Sequence, residues 1–182
     1  MSNLYLIGYR GCGKTTVARL LSGLLQLPAL DADEHLEQIA GNTIREIFAA
    51  EGEAGFRDRE SAVVQELTKR AGLIVSWGGG VILREANRRA LQAAGQVVWL
   101  RARPETLLAR IEQDPTTGQR RPNLTVAGGL EEIRHLLAIR EPLYTALANR
   151  IVSVDDLSPA AIAADIAQWY REQPFAAQKG GS

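Results

Sequence analysis

The chain has 182 residues, of which 46% are hydrophobic and 23% charged, with 21 Lys+Arg balanced by 21 Asp+Glu. This length suits one α/β domain with its own core, and the composition excludes both an intrinsically disordered chain and one built on membrane-spanning runs. The balanced charge excludes the broad positive field of a nucleic-acid binder, so any anion site must be local.

In chain order, the apolar run Leu4 to Gly8 predicts a first strand, and the stripe of Val17, Leu20, Leu21 and Leu24 predicts an amphipathic helix over Thr16 to Gln26. Pro28 to Ala32 predicts a second strand. Thr43 and Glu46 have the spacing of a capping box ahead of Ile47 and Phe48, and a further helix is expected over Gly55 to Arg70. Strands follow at Leu73 to Trp77, Val97 to Arg101 and Ile151 to Val154, with helices at Asn87 to Ala94, Pro104 to Gln113, Leu130 to Ala148 and Pro159 to Arg171. This alternation predicts an α/β fold with a five-stranded parallel sheet flanked by helices. Asp114 to Gly129, rich in Pro, Thr, Gly and Arg, has no period and is expected to form a lid; the tail from Gln173 to Ser182 is expected to be disordered.

Gly8-Tyr9-Arg10-Gly11-Cys12-Gly13-Lys14-Thr15 fits the phosphate-loop pattern GxxxxGK[ST], and it lies between a strand and a helix as that chemistry requires. Its glycines allow backbone N–H groups to curl around phosphate oxygens at a helix N-terminus. Lys14 would neutralise the β and γ phosphates of ATP, and the Thr15 hydroxyl would ligate Mg²⁺. The loop alone does not separate a kinase from a switch or a motor. Cys12 invites a redox role, but a loop filled by phosphate leaves little room for thiol chemistry.

Asp31-Ala32-Asp33 closes the second strand, where ligands of open α/β sheets bind. Residues two apart on a strand point the same way, which would set Asp31 at the Mg²⁺ shell and Asp33 at an acceptor hydroxyl as the base; Asp33 as a plain helix cap is an equal alternative. Gly78-Gly79-Gly80 ends the third strand and suits close approach of a ligand to backbone N–H groups. Arg120-Arg121-Pro122 in the aperiodic segment suits a lid arginine closing on a transferring phosphoryl group. His35 and His135 lack the clustered ligands of a zinc site. The N-terminus has no signal-peptide pattern and the single cysteine cannot form an internal disulfide; together they predict a cytoplasmic protein.

From Leu4 to about Trp169 the chain resembles the shikimate kinases, through GYRGCGKTT, DAD, AGFRDRE, GGG followed by Val-Ile-Leu, RRPNLT and IREPLY. Order and spacing are most similar to the second of the two common bacterial isoforms. The resemblance implies a kinase fold of the nucleoside-monophosphate-kinase type, with an acceptor-binding region at about residues 32 to 60 and a lid at about 112 to 127. It implies a monomer without nucleic-acid or membrane partners that uses ATP and Mg²⁺ to phosphorylate shikimate. It assigns Asp33, Arg57, Gly79 and Arg140 to shikimate, with both arginines on its carboxylate, and Thr15 and Asp31 to Mg²⁺. It assigns Gly11, Cys12, Gly13, Lys14, Thr15 and Thr16 to the ATP phosphates, Arg121 to ATP from the lid, and Pro159 to the adenine side.

Two positions depart from the family. Trp77 stands where a small residue is usual, so the indole is expected to narrow the pocket or shift the strand end. The lid carries an extra Thr-Thr-Gly before Gln119 and Gly128-Gly129 after it, which leaves Arg110 as the candidate beside adenine. A gluconate kinase is the rival within enzymes, and the DAD, FRDRE and GGG set argues against it. A GTP switch would carry Asn-Lys-x-Asp, which is absent from the sequence.

Overall fold

The computed structural model describes residues 2–113 and 129–173. The expected lid beyond Gln113, with Arg120 and Arg121, and the tail beyond Gln173 lie outside the described residues. The elements in order are β1 Asn3–Ile7, α1 Lys14–Leu25, β2 Ala29–Asp31, α2 Ala32–Ala40, α3 Ile44–Leu67, β3 Ile74–Ser76, a 3₁₀ turn Val81–Leu83, α4 Glu85–Ala94, β4 Gly95–Arg101, α5 Pro104–Gln113, α6 Gly129–Leu147, β5 Arg150–Ser153 and α7 Pro159–Glu172.

Among the described residues the five strands form one parallel sheet in the order β2-β3-β1-β4-β5. Asn3 to Ile7 are buried throughout, as a central parallel strand covered on both faces requires. The strand period of two then splits the core. Leu4, Leu6, Ile74, Val98 and Leu100 meet Val17 and Leu21 of α1 and Ile162 and Ile166 of α7. Tyr5, Ile7, Val75, Val97 and Trp99 meet Leu36, Ile47, Phe56, Val63 and Leu91 from α2, α3 and α4. No helix among the described residues is long and apolar enough to cross a membrane.

Two local expectations change. The second strand ends at Asp31 and a helix begins at once, because the Asp31 carboxylate accepts the N–H groups of Asp33 and Glu34 at 3.0 and 3.4 Å. The cap is therefore Asp31, not Asp33, and the strand argument that would align the two acids does not apply. The helix behind the Thr43/Glu46 capping box begins at Ile44, and the one expected from Gly55 follows it directly across a kink at Gly52, whose φ of 69° and ψ of −172° leave the helical region. A residue without a Cβ tolerates that break.

Asn3 anchors the head of β1. Buried to 1% exposure, its side chain accepts from the Leu73 N–H at 2.9 Å and donates to the Tyr5 hydroxyl and to Arg70 O, each at 2.7 Å. Burial pushes the Tyr5 hydroxyl up to about 12, so it stays a neutral hydrogen-bonding group. Asn3→Ala strands the buried Leu73 N–H and opens a void, and is expected to cost about 2 to 4 kcal/mol. Urea unfolding with an unchanged slope and a lowered midpoint would register that loss.

Candidate active site

The phosphate loop leaves β1 through Gly8 and enters α1 at Lys14. Gly8 adopts a φ of 142°, and a Cβ there would fall 2.5 Å from Leu100 O, so only glycine lets the loop turn so close to β4. Lys14 Nζ donates to Gly8 O at 3.0 Å and Tyr9 O at 2.9 Å, which folds the ammonium back over its own loop at 9% exposure. Cys12 Sγ lies 3.6 Å from the same ammonium, and the thiol side chain is turned into the core.

The loop opens on a cleft of about 550 Å³. Gly11, Gly13, Lys14, Thr15 and Thr16 line one side of it, and Asp31, Asp33 and Gly79 also border it. Thr15 Oγ1 donates to Asp31 Oδ2 at 2.7 Å, and Ser76 Oγ lies 3.5 Å from the same hydroxyl. Asp31 thus does two jobs with two oxygens: Oδ1 caps α2 and Oδ2 meets the phosphate loop. Asp33, in the first turn of α2, reaches the cleft from the helix rather than from the strand.

The glycine run gathers the two arginines. Tyr144 donates its hydroxyl to Gly79 O at 2.6 Å, and a Cβ on Gly79 would lie 3.6 Å from Arg140 Nη1. Burial holds the Tyr144 phenol well above its ordinary range, so it remains a donor. Arg140 stacks over the Tyr9 ring, its guanidinium carbon 5.7 Å from the centroid. Arg57 packs against Gly80, where a Cβ would fall 2.3 Å from Nη1. It is held there by Glu60 Oε2 at 2.8 Å and Glu53 Oε1 at 3.3 Å. Arg57 and Arg140 are each 7% exposed and stand behind the glycines rather than on the open wall of the cleft.

Pro159 begins α7 behind the Ser158 cap and is not part of the cleft wall. Arg110 is, and its Nη2 donates to Val154 O at 2.8 Å, beside the turn that leads to Pro159. Ser76 and Arg10 also line the cleft and had no role assigned from the sequence. Ser76 had a readable signal, since the end of a strand beside β1 must fall near the loop; Arg10 occupies a position the loop pattern leaves open. Trp77 does not distort the strand end: its N–H bonds Leu6 O at 3.0 Å, and the indole turns into the core edge-to-face on Tyr5, with centroids 6.0 Å apart.

A phosphate-loop backbone, an oxygen pair suited to a hard cation and a carboxylate on one cleft, with two guanidinium groups packed behind its glycine run, are the parts needed to move a phosphoryl group onto an acidic acceptor. The family model described as shikimate kinase matches residues 10–171. The chain is 50% identical over 147 residues to a shikimate kinase of Rhodopirellula baltica, covering 81% of this chain and 79% of that one. It is 43% identical over 166 residues to a shikimate kinase of Pseudomonas fluorescens, covering 91% and 94%. A solved shikimate kinase from Acinetobacter baumannii, in complex with shikimate, superposes with a TM-score of 0.86 at 40% identity, covering 93% of this chain and 92% of that one.

Because two carboxylates pin Arg57, Gly80→Ala is expected to displace its guanidinium and lower stability by about 1 to 3 kcal/mol. A thermal midpoint within about 1 °C of wild type would show that Arg57 gives way at no cost.

Proposed function

The chain belongs to the shikimate kinase family and is an ATP-dependent kinase; from that premise we propose how its residues transfer the ATP γ-phosphoryl group to the 3-hydroxyl of shikimate, giving ADP and shikimate 3-phosphate. The observation that carries the assignment is that Arg140 and Arg57 pack directly behind Gly79 and Gly80, the run whose Gly79 borders the cleft onto which the phosphate loop opens.

Two planar guanidinium forks suit one carboxylate, and each charge-assisted bond contributes about 1.5 to 3 kcal/mol. Arg57 and Arg140 therefore hold the acid group of shikimate, with Gly79 allowing the ring to approach the backbone. Asp33 faces the ring hydroxyls, orients the 3-hydroxyl and takes its proton, a contribution of roughly 10² to 10⁴ in rate. Lys14 and the loop amides of Gly11, Cys12, Gly13, Thr15 and Thr16 hold the β and γ phosphates, with the Cys12 thiol turned away from them. Arg121, outside the described residues, is assigned to the transferring group by the family resemblance, and Arg110 and Pro159 to the adenine side.

The Thr15 hydroxyl and Asp31 carboxylate, 2.7 Å apart and with Ser76 Oγ beside them, are the oxygen donors that Mg²⁺ takes, usually one or two protein groups with water and phosphate completing the shell. Bound there, the ion would neutralise charge on the phosphate oxygens. The same reading proposes a cytoplasmic enzyme, in keeping with its lone cysteine.

In a coupled assay, ADP release is expected to require shikimate and to be weak with gluconate or AMP; equal turnover of all three would remove the substrate assignment. Asp33→Asn is expected to lower kcat about 10²-fold or more with little change in the shikimate KM. Arg57→Ala is expected mainly to raise that KM and, by leaving Glu60 buried without its guanidinium, to cost about 3 to 5 kcal/mol of stability. The reverse kinetic pattern would exchange the two roles.

A further inference from the structure

Glu132, in the first turn of α6, is only 1% exposed. Acidic side chains are almost never buried so completely unless paired. Its Oε1 accepts from Arg10 Nη2 at 3.3 Å, and Arg10 is the third residue of the phosphate loop and part of the cleft wall. The pair thus joins residues 122 apart in sequence.

The same small region holds Arg140. It follows Glu132 by about two turns on α6, and it stacks on the ring of Tyr9, the residue next to Arg10. Tyr9 senses all of these groups: burial raises its hydroxyl above the ordinary range, Arg10 and Arg140 pull it down, and Glu132 pushes it up. Arg140 stacks on the Tyr9 ring, and Arg10, next to Tyr9 in the chain, enters the same neighbourhood from the cleft. Arg10 keeps 19% of its side chain exposed, and its Nε is buried without a hydrogen bond among the described residues. The guanidinium is anchored at one nitrogen and still presents a face to the cleft, the geometry of a preorganised anion ligand.

We propose that Arg10 is a third guanidinium serving the acid group of the acceptor, and that buried Glu132 is the residue that positions it. The inference rests on the functional reading above. Glu132 restrains a side chain that would otherwise lose rotamer freedom on binding, and it offsets the repulsion of gathering a second cation near Arg140. Replacing either member alone leaves a poorly compensated charge, so the test removes both together.

The full-length Arg10→Met/Glu132→Gln variant would be compared with wild type by steady-state kinetics and by calorimetric binding of shikimate and of shikimate methyl ester, which lacks the anionic group. We expect the shikimate KM and Kd to rise about tenfold, the change one charge-assisted contact commands, with kcat reduced less than about threefold and the ATP KM within about twofold. Binding of the methyl ester should change less than about twofold, because the lost contact was to the carboxylate. A purely structural role would weaken both ligands alike, and that result, an unchanged shikimate KM, or a variant that no longer folds by circular dichroism would overturn the inference. An active wild type with an unaffected variant overturns this inference alone, whereas a wild type that leaves shikimate unphosphorylated overturns the functional reading as well.

Discussion

The parallel pairing of β1 with β3, Leu4 opposite Ile74 and Leu6 opposite Ser76, is the constraint on which the rest of the molecule depends. Parallel strands end on the same edge, so this register delivers the phosphate loop after Ile7 and the glycine run after Trp77 to one rim. The pairing of β2 with β3 brings Asp31 opposite Ser76 to that rim as well. A slip of one residue would reverse which side chains face each half of the core, and the contact between Thr15 and Asp31 would be lost with it.

Charge inside this edge is handled in pairs. Lys14, Arg57 and Arg140 are all less than a tenth exposed, and Glu60 and Glu132 are more deeply buried still. Net burial of so many ions would be costly if each were solitary. Glu60 holds Arg57 against Gly80, Glu132 holds Arg10 beside the loop, and Lys14 rests on two carbonyls of its own loop. Arg57, Arg10 and Lys14 are thereby fixed before any anion arrives, which reduces the ordering cost of binding.

Close packing against the backbone shows what glycine does at two positions. At Gly8 a Cβ would collide with the end of β4, and at Gly80 with the Arg57 guanidinium. The two glycines serve different ends: the first lets the loop turn, and the second makes room for the arginine. Trp77 borders the cleft at the head of the run while its indole packs edge-to-face on Tyr5 in the core.

The arginines of FRDRE and IREPLY stood out only through the family resemblance, whereas the order of strands and helices and the phosphate loop were legible in the sequence, because apolar periodicity and glycine spacing are local consequences of backbone geometry. The start of α2 was not, since one carboxylate, Asp31, decides it by accepting two N–H groups that a strand reading leaves unused. The break at Gly52 agrees with the sequence, where a capping box and a helical stretch on either side of that glycine read as separate elements. Pairings such as Arg10 with Glu132 leave no local signature, because they join residues far apart in sequence through a fold that only the sheet order specifies. Sequence by itself determined which chemical groups the chain carries and the local elements that bear them; tertiary structure alone decided which of those groups meet, because the burial that forces charges to pair exists only once the sheet is covered.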